Sequence, residues 1–290
     1  VDQPDLGLCG QADVVNAPIL LIPSAAQEEE VPEIVLTELR RLARDDDQWY
    51  GRYGLCLRTQ KEIDTQVVSV NGGPKRLGIT VHIIGGTGVI SEDQQEQIDD
   101  VRGVWDTVRL RVADRYQTAV AVADAVIDIV GRYSQGGPPW FTPPTQINAF
   151  LTTGTNFPDA LAAGASAAQN DGVVLLTKGE EVEKFTEEFV ENLAQVIVDG
   201  RRNNPEIITV GGPADRAAVA RGFSVDQSYV GATRYETAAL LARAPFWGTP
   251  TLRYPFDAVG VASGESFADA VVGGGYMANA DGPLLLTRPN

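Results

Sequence analysis

Residues 151–180 read LTTGTNFPDALAAGASAAQNDGVVLLTKGE, and residues 261–290 carry a matching stretch 110 positions later, VASGESFADAVVGGGYMANADGPLLLTRPN. The two stretches align without a gap. They share a glycine, a phenylalanine, an Asp-Ala pair, an Asp-Gly pair and an apolar run that ends in threonine. Agreement in this order is typical of an internal duplication. The chain therefore repeats a structural unit.

The duplication extends on both sides of these stretches. The phrase Arg-Tyr-x-Thr-Ala opens an alanine-rich segment at 115–126 and again at 234–245. Towards the N-terminus, NAPILLIP at 16–23 resembles DGVVLLTK, and VHIIGG at 81–86 resembles IITVGG. One repeat thus has two halves: the first holds Arg-Tyr-x-Thr-Ala and G-x-x-F-x-D-A, and the second runs from an apolar strand to a Gly-Gly pair.

These matches predict the division of the chain. Residues 107–228 hold one complete repeat, and residues 1–106 hold a second half with an insertion near 44–78. Residues 229–290 hold a first half. We expect the two half repeats to close into one unit, since open parallel sheets would otherwise leave unpaired edges. The alternative is that the chain is part of a longer array, in which a neighbouring repeat supplies the missing halves.

Helix and strand patterns alternate along each half. INAFLTT, AVGVAS and PEIITVGG are short apolar runs that predict buried parallel strands. AVAVADAVIDIV predicts a helix buried on more than one side, and VEKFTEEFVENLAQVIVDG predicts a helix that Gly200 stops. VVSVNGGPKRLGITV predicts a hairpin around Asn-Gly-Gly. Together they predict an α/β fold with parallel sheets in three layers.

The charge of the chain excludes some partners. Its 290 residues carry 39 acidic and 23 basic side chains, a formal net charge of −16. Such a chain does not approach nucleic acid or an anionic membrane surface unless its basic residues cluster. No run of about 18 apolar residues is present, so we predict no membrane span.

The sequence contains little that would bind a metal ion or a cofactor. The chain has one histidine, His82, which lies in an apolar run and reads as a strand residue. No CxxC, HExxH or EF-hand spacing is present, so no metal site is predicted. Cys9 and Cys56 are the two cysteines; we expect them to pair if the protein is exported, and two buried thiols are the alternative. Glycines follow strands, but the Walker lysine and G-x-G-x-x-G are missing, so no cofactor is predicted.

Catalysis is not predicted either. G-x-S-x-G is missing, and the lone histidine has no plausible cysteine partner. Asp159 and Asp269 would make a glycosidase pair only if they faced each other across about 5–10 Å. Because both belong to a repeated motif, duplicated scaffold is the simpler interpretation. We therefore predict that the chain is not an enzyme.

The order DRYQTA … TGTNFPDALAAG … VVLLT … IITVGG resembles the cell wall-binding repeat 2 family of Gram-positive secreted proteins. The resemblance implies Rossmann-like, toprim-like units and non-covalent binding of anionic wall polymers, as in modules that hold surface-layer proteins. Members usually carry three repeats in a pseudo-threefold ring. This chain departs from that pattern, because its halves add up to two repeats.

The repeated motifs supply the candidate site residues. In a structural interpretation, Arg115 pairs with Asp159 and Arg234 with Asp269, because guanidinium groups fork well onto carboxylates. The tyrosines of the phrase pack at a unit boundary, and its threonines bond locally. In a functional interpretation, the same side chains face a groove and meet acidic groups of a polymer, directly or through a bridging cation. The candidates are Arg115, Tyr116, Asp159, Arg234, Tyr235 and Asp269.

A proline- and glycine-rich loop at 131–146 carries two further candidates, Trp140 and Phe141. Aromatic side chains on a stiff loop are suited to stacking on sugar rings, and packing down as a lid is the alternative.

These observations predict a non-catalytic module that anchors a secreted protein to an anionic polysaccharide of the bacterial cell wall. The alternative is a structural or assembly domain of a surface protein, whose partners are other repeats or other surface-protein chains. Both place the protein outside the cell, at the wall or surface. The start at Val1 suits a processed product.

Overall fold

The computed structural model describes residues 20–22, 24, 26–43, 68–70, 73–75, 79–102, 104–110, 112–134, 144–198, 200–247, 256 and 258–288. These residues fall into two compact units, one within 20–111 and the other within 112–290. Both units combine helices with parallel strands, which confirms the predicted α/β class. The joining of the two half repeats into one unit stays a prediction.

The first unit is built on a parallel strand pair. Its elements are α1 (Glu33–Leu42), β1 (Val68–Val70), β2 (Gly73–Lys75), β3 (Ile79–Ile84), α2 (Glu92–Asp99) and β4 (Val104–Leu110). β3 pairs with β4, and β1 pairs with β2 as the predicted antiparallel hairpin. α1, β3 and α2 pack around a core in which Val35, Leu39, Ile83 and Ile98 are buried.

The helix α2 has a well-defined start. The hydroxyl of Ser91 accepts a hydrogen bond from the backbone N–H of Gln94, and the Gln94 side chain accepts one from the N–H of Ser91. This capping box satisfies two backbone donors that the helix itself leaves unpaired. His82 is an exposed residue of β3, which confirms its interpretation as a strand residue.

The second unit contains a four-stranded parallel sheet. Its elements are α3 (Arg115–Ser134), β5 (Asn148–Thr153), α4 (Pro158–Gln169), β6 (Gly172–Thr177), α5 (Lys184–Leu193), β7 (Ile197–Val198), β8 (Arg201–Arg202), β9 (Ile207–Val210), α6 (Gly212–Arg221), β10 (Gln227–Tyr229), α7 (Arg234–Leu241), a 3-10 turn (Pro245–Trp247), β11 (Gly260–Ser263), α8 (Phe267–Asn279) and β12 (Leu284–Thr287). The sheet order is β10-β9-β5-β6, and all its pairs are parallel.

Helices cover both faces of this sheet. All six residues of β5 are buried. Phe150 belongs to a core with α4, α7 and α8, whereas Ala149 and Leu151 belong to a core with α3 and α5. Side chains of a strand alternate between its two faces, so a strand covered on both sides reads as a continuous apolar run. The buried strands predicted for INAFLTT and PEIITVGG are therefore confirmed.

The two copies of the repeated stretch have the same local structure. β11 pairs with β12 as β5 pairs with β6, and the corresponding helices α8 and α4 pack against each other. Asp171 and Asp281 occupy the same repeat position and adopt φ values of 46° and 48°. Left-handed backbone of this kind is tolerated by aspartate before a glycine.

Three predictions about single elements are wrong. The helix around residues 182–199 ends at Leu193, because 197–198 pair with 201–202 and Gly200 lies in the turn between them. α3 exposes Asp124, Val126 and Asp128, so it is buried on one side only. β11 is not fully buried either: Val261 is 65% exposed, since β11 lies in a two-stranded sheet among the described residues.

Candidate functional site

The Arg-Tyr-x-Thr-Ala phrases begin α3 and α7 and make the same contact in both copies. Arg115 donates a hydrogen bond from Nη1 to the carbonyl oxygen of Gly154 at 3.1 Å. Arg234 donates in the same way to Gly264. Each acceptor is the glycine that follows the first strand of its repeat. Each arginine therefore links the first residue of its helix, α3 or α7, to the end of a strand, β5 or β11, by a hydrogen bond.

The tyrosines of the phrase pack on the same glycines. A Cβ atom at Gly154 would lie 2.5 Å from Cε1 of Tyr116, and one at Gly264 would lie 2.9 Å from Cε1 of Tyr235. The threonines bond locally, as predicted: Thr118 donates to the carbonyl of Asp114. Glycine is therefore required at both strand ends because a ring occupies the space of its side chain.

The predicted pairing of each arginine with the aspartate of its own motif is wrong. Among the described contacts, Arg115 and Arg234 reach glycine carbonyls and form no ion pair with Asp159 and Asp269, respectively. Each guanidinium group is instead satisfied by the carbonyl at the end of the strand. Asp159 is instead influenced by Arg234, which belongs to the other copy of the phrase.

A cleft of about 710 Å³ lies where the second unit brings three helix starts together. Its wall includes the first residues of α4, α6 and α7, at the ends of the strands that precede them. In parallel α/β sheets, ligands bind at the carboxyl ends of the strands. The N-terminal ends of helices carry partial positive charge and unpaired N–H groups, which favour anions.

Three guanidinium groups line this cleft, from Arg216 of α6, Arg234 of α7 and Arg288 after β12. Arg216 donates from Nε to Glu180 at 2.9 Å, and both side chains are more than half exposed. The guanidinium of Arg288 lies 5.0 Å from the centre of the Tyr235 ring, a cation–π contact that holds it at the cleft.

Two carboxylates share the cleft with these cations. Glu265 lies before α8 and is exposed. Asp159 lies in the first turn of α4 and is only partly exposed, pressed against Gly211, where any side chain would overlap its carboxylate. Burial raises the pKa of Asp159 above its ordinary value, and the attraction of Arg234 offsets only part of this rise.

The structure brings together only some of the predicted site residues. Asp159, Arg234 and Tyr235 line the cleft, whereas Arg115, Tyr116 and Asp269 are not among its lining residues. Trp140, Phe141, Cys9 and Cys56 lie outside the described residues.

Sequence reasoning missed three charged lining residues, Arg216, Glu265 and Arg288. Arg216 lies four residues after the Gly-Gly pair that follows β9, and Arg288 directly follows β12. The available signal was a basic residue close behind a strand, at once for Arg288 and in the first turns of the following helix for Arg216, since strand ends meet at one edge of a parallel sheet.

The part of the chain that the structure describes lacks two further kinds of feature. It contains no group of three or more His, Cys, Asp or Glu side chains that could hold a metal ion. It also contains no helix long and apolar enough to cross a membrane.

Two solved structures with a similar fold come from Clostridium difficile. Cwp6 from Clostridium difficile matches with a TM-score of 0.61 and 19% identity, over 94% of this chain and 34% of that chain. Cwp8 from Clostridium difficile matches with a TM-score of 0.52 and 19% identity, over 72% of this chain and 31% of that chain. This chain spans about a third of the length of either protein. At this identity the likeness concerns the fold.

The sequence itself matches the family described as cell wall binding domain 2 (CWB2), over residues 109–215 and 229–290. No match is found among curated proteins. The matched ranges make up more than half of the chain. They contain every residue that lines the cleft except Arg216. The family is one of wall-binding domains and not of enzymes, which confirms the prediction of a non-catalytic module. The chain belongs to the cell wall binding domain 2 family.

Proposed function

We propose that the cleft of the second unit binds acidic groups of an anionic wall polysaccharide and so anchors a secreted protein to the cell wall without a covalent bond. The observation that carries this proposal is the convergence of Arg216, Arg234 and Arg288 on one cleft in a chain of net charge −16. The lining holds three arginines against two carboxylates, Asp159 and Glu265, an excess of one positive charge. Glu180 pairs with Arg216 from outside the lining and balances this excess until an acidic group of the polymer takes its place. Only such a segregated patch lets an acidic protein attract a polyanion.

The chemistry of the cleft suits an acidic polymer. Guanidinium groups bind carboxylates and phosphates through two parallel hydrogen bonds, and three helix starts add their partial positive charge. Arg216 is already paired with Glu180 at the surface, so an incoming acid exchanges one exposed ion pair for another. That exchange costs little, because exposed pairs contribute about 0–1 kcal/mol.

We also propose that the second unit is a Rossmann-like unit of three layers. The two hydrophobic cores on opposite faces of β5 support this arrangement.

The first test is co-sedimentation of the whole chain with Gram-positive sacculi, before and after chemical removal of their secondary polymers. We expect binding to native sacculi and its loss from stripped ones. Arg216→Ala should weaken binding about tenfold, because it removes one cation from the cleft and leaves the negative charge of Glu180 without its partner beside the ligand. Binding retained by stripped sacculi would contradict a polymer ligand.

The matched control is Arg221→Ala. Arg221 lies on the same helix and also forms a surface ion pair, with Glu187, but it is not among the residues that line the cleft. We expect Arg221→Ala to bind like the unchanged protein. An equal loss in both variants would show that general charge, and not the cleft, governs binding.

The alternative, an assembly domain that contacts other repeats or surface-protein chains, has one observation in its favour. Val261, Phe267 and Tyr276 of β11 and α8 are 65%, 56% and 67% exposed. Large apolar side chains that a surface leaves exposed are available for contacts with another protein. Analytical ultracentrifugation of the chain and of Tyr276→Ser tests it: self-association that this change abolishes would support assembly, and a monomer at all concentrations would oppose self-assembly.

A further inference from the structure

We propose that Asp159 determines the affinity of the cleft for anions, because its carboxylate competes with the ligand and takes up a proton when an anionic group binds. This inference rests on the proposed function above. It goes further by naming the residue that links polymer binding to pH, and by predicting that binding strengthens as the pH falls.

The position of Asp159 carries the proposal. It is the second residue of α4, and its carboxylate faces the cleft that Arg234 also lines. Gly211, at a φ of 86°, closes the space on the other side, so the carboxylate has little room to turn away. An anion that enters to meet Arg234 therefore comes close to a carboxylate that cannot move far.

Charge balance gives the direction of the effect. Burial already raises the pKa of Asp159, and the attraction of Arg234 does not cancel this. A bound anion adds repulsion of the charged carboxylate, which raises the pKa of Asp159 further. Binding is then coupled to proton uptake. The neutral carboxyl group neither repels the ligand nor weakens the field of Arg234, so affinity increases as the pH falls towards the acid range in which Asp159 is protonated.

The other charged groups near Asp159 can be separated from it. The arginines keep their charge at all relevant pH values. Glu265 is the second carboxylate of the cleft and can be replaced independently. Asp215 of α6 accepts hydrogen bonds from the hydroxyls of Thr209 and Ser228 and does not line the cleft. On α8, which packs against α4, Asp269 is exposed and does not line it either.

The repeat provides a matched control for the test. Asp159 and Asp269 hold the same position in the two copies of the motif, but only Asp159 lines the cleft. We would measure binding of the whole chain to one preparation of native sacculi between pH 4.5 and 8, for the unchanged protein, Asp159→Asn, Asp269→Asn and Glu265→Gln. Any titration of the sacculi themselves then affects all four proteins alike.

We expect Asp159→Asn to bind roughly fivefold more tightly than the unchanged protein at pH 7.5, the effect of removing one nearby like charge. Its binding should depend less on pH than that of the unchanged protein. Asp269→Asn should follow the unchanged protein, and Glu265→Gln should keep the pH slope. Thermal unfolding shows that each variant is folded.

Three results would overturn the inference. The first is a pH profile of Asp159→Asn parallel to that of the unchanged protein, and the second is an equal change in Asp269→Asn. The third is the lack of proton uptake when the unchanged protein binds sacculi in a weakly buffered suspension, a measurement that needs no variant. If the unchanged protein binds no sacculi at any pH, the proposed function fails as well.

Discussion

At the scale of single residues, the repeated phrase Arg-Tyr-x-Thr-Ala is explained by the glycine it contacts. In both copies the arginine donates to the carbonyl of that glycine, and the tyrosine ring occupies the space that a side chain would need. The phrase and the G-x-x-F-x-D-A motif are thus two parts of one junction, which the duplication has kept intact in both copies.

This junction predicts the outcome of a double-mutant cycle. Gly154→Ala forces its methyl group against Tyr116 and should lower the free energy of unfolding by about 1–3 kcal/mol. In a Tyr116→Ala background the same change should cost clearly less, because the ring is gone. Urea unfolding of the four proteins measures the coupling.

The second copy of the repeat allows the same test with a smaller steric overlap. Gly264→Ala has more room, 2.9 Å against 2.5 Å to the nearest ring atom, so it should cost less than Gly154→Ala. Additive effects in both copies would contradict the junction.

At the scale of elements, the two copies meet through corresponding helices. α4 and α8 pack against each other, and the rings of Phe157 and Phe267 at their starts are 6.0 Å apart, edge to face. A Cβ atom at Gly274 of α8 would lie 3.6 Å from the carbonyl of Leu161 in α4. Small residues let the helices approach this closely, and α4 buries Ala162, Ala163 and Ala165.

Two neighbouring positions of α4 should respond in opposite ways. Ala163 is 0% exposed, so Ala163→Leu overfills the core and should lower the free energy of unfolding by about 1–3 kcal/mol. A Cβ atom at Gly164 would meet no atom within 4 Å, so Gly164→Ala should raise it by about 0.5–1 kcal/mol through better helix propensity. Chemical unfolding measures both, and a stabilising Ala163→Leu would contradict the close helix contact.

At the scale of the whole molecule, the acidic chain and its basic cleft act on a polymer over different distances. The net charge of −16 repels a polyanion at long range, whereas three arginines attract it at contact. Salt screens charges over about 30 Å at 0.01 M, 10 Å at 0.1 M and 3 Å at 1 M. Moderate salt therefore weakens the repulsion before it weakens the contacts.

This balance predicts that binding to sacculi depends on salt in a non-monotonic way. Sedimentation in about 0.01, 0.1 and 1 M NaCl should show the strongest binding near 0.1 M, where the repulsion is screened and close ion pairs persist. Arg216→Ala should reduce the maximum, and Arg221→Ala should leave it unchanged. A steady fall in binding from the lowest salt upward would contradict the balance.

Much of the fold could be predicted because it depends on local patterns. The buried strands at 148–153 and 207–210 are continuous apolar runs, and the hairpin at 68–75 follows from Asn-Gly-Gly. The early end of α5 could not be predicted in this way. The sequence around Gly200 suits a helix stop and a tight turn equally, and the pairing of 197–198 with 201–202 selects the turn.

The sequence by itself determined the duplication, the α/β class and the family, because each depends on the order of residues along the chain. Only the tertiary structure decided which charges meet. Arg216, Arg234 and Arg288 come from separate segments, and the ends of parallel elements bring them to one cleft with Asp159. The partner of Arg234 also depended on the fold, because Arg234 donates to the carbonyl of Gly264 at a strand end. The aspartate whose pKa Arg234 lowers is Asp159, which belongs to the other copy of the motif.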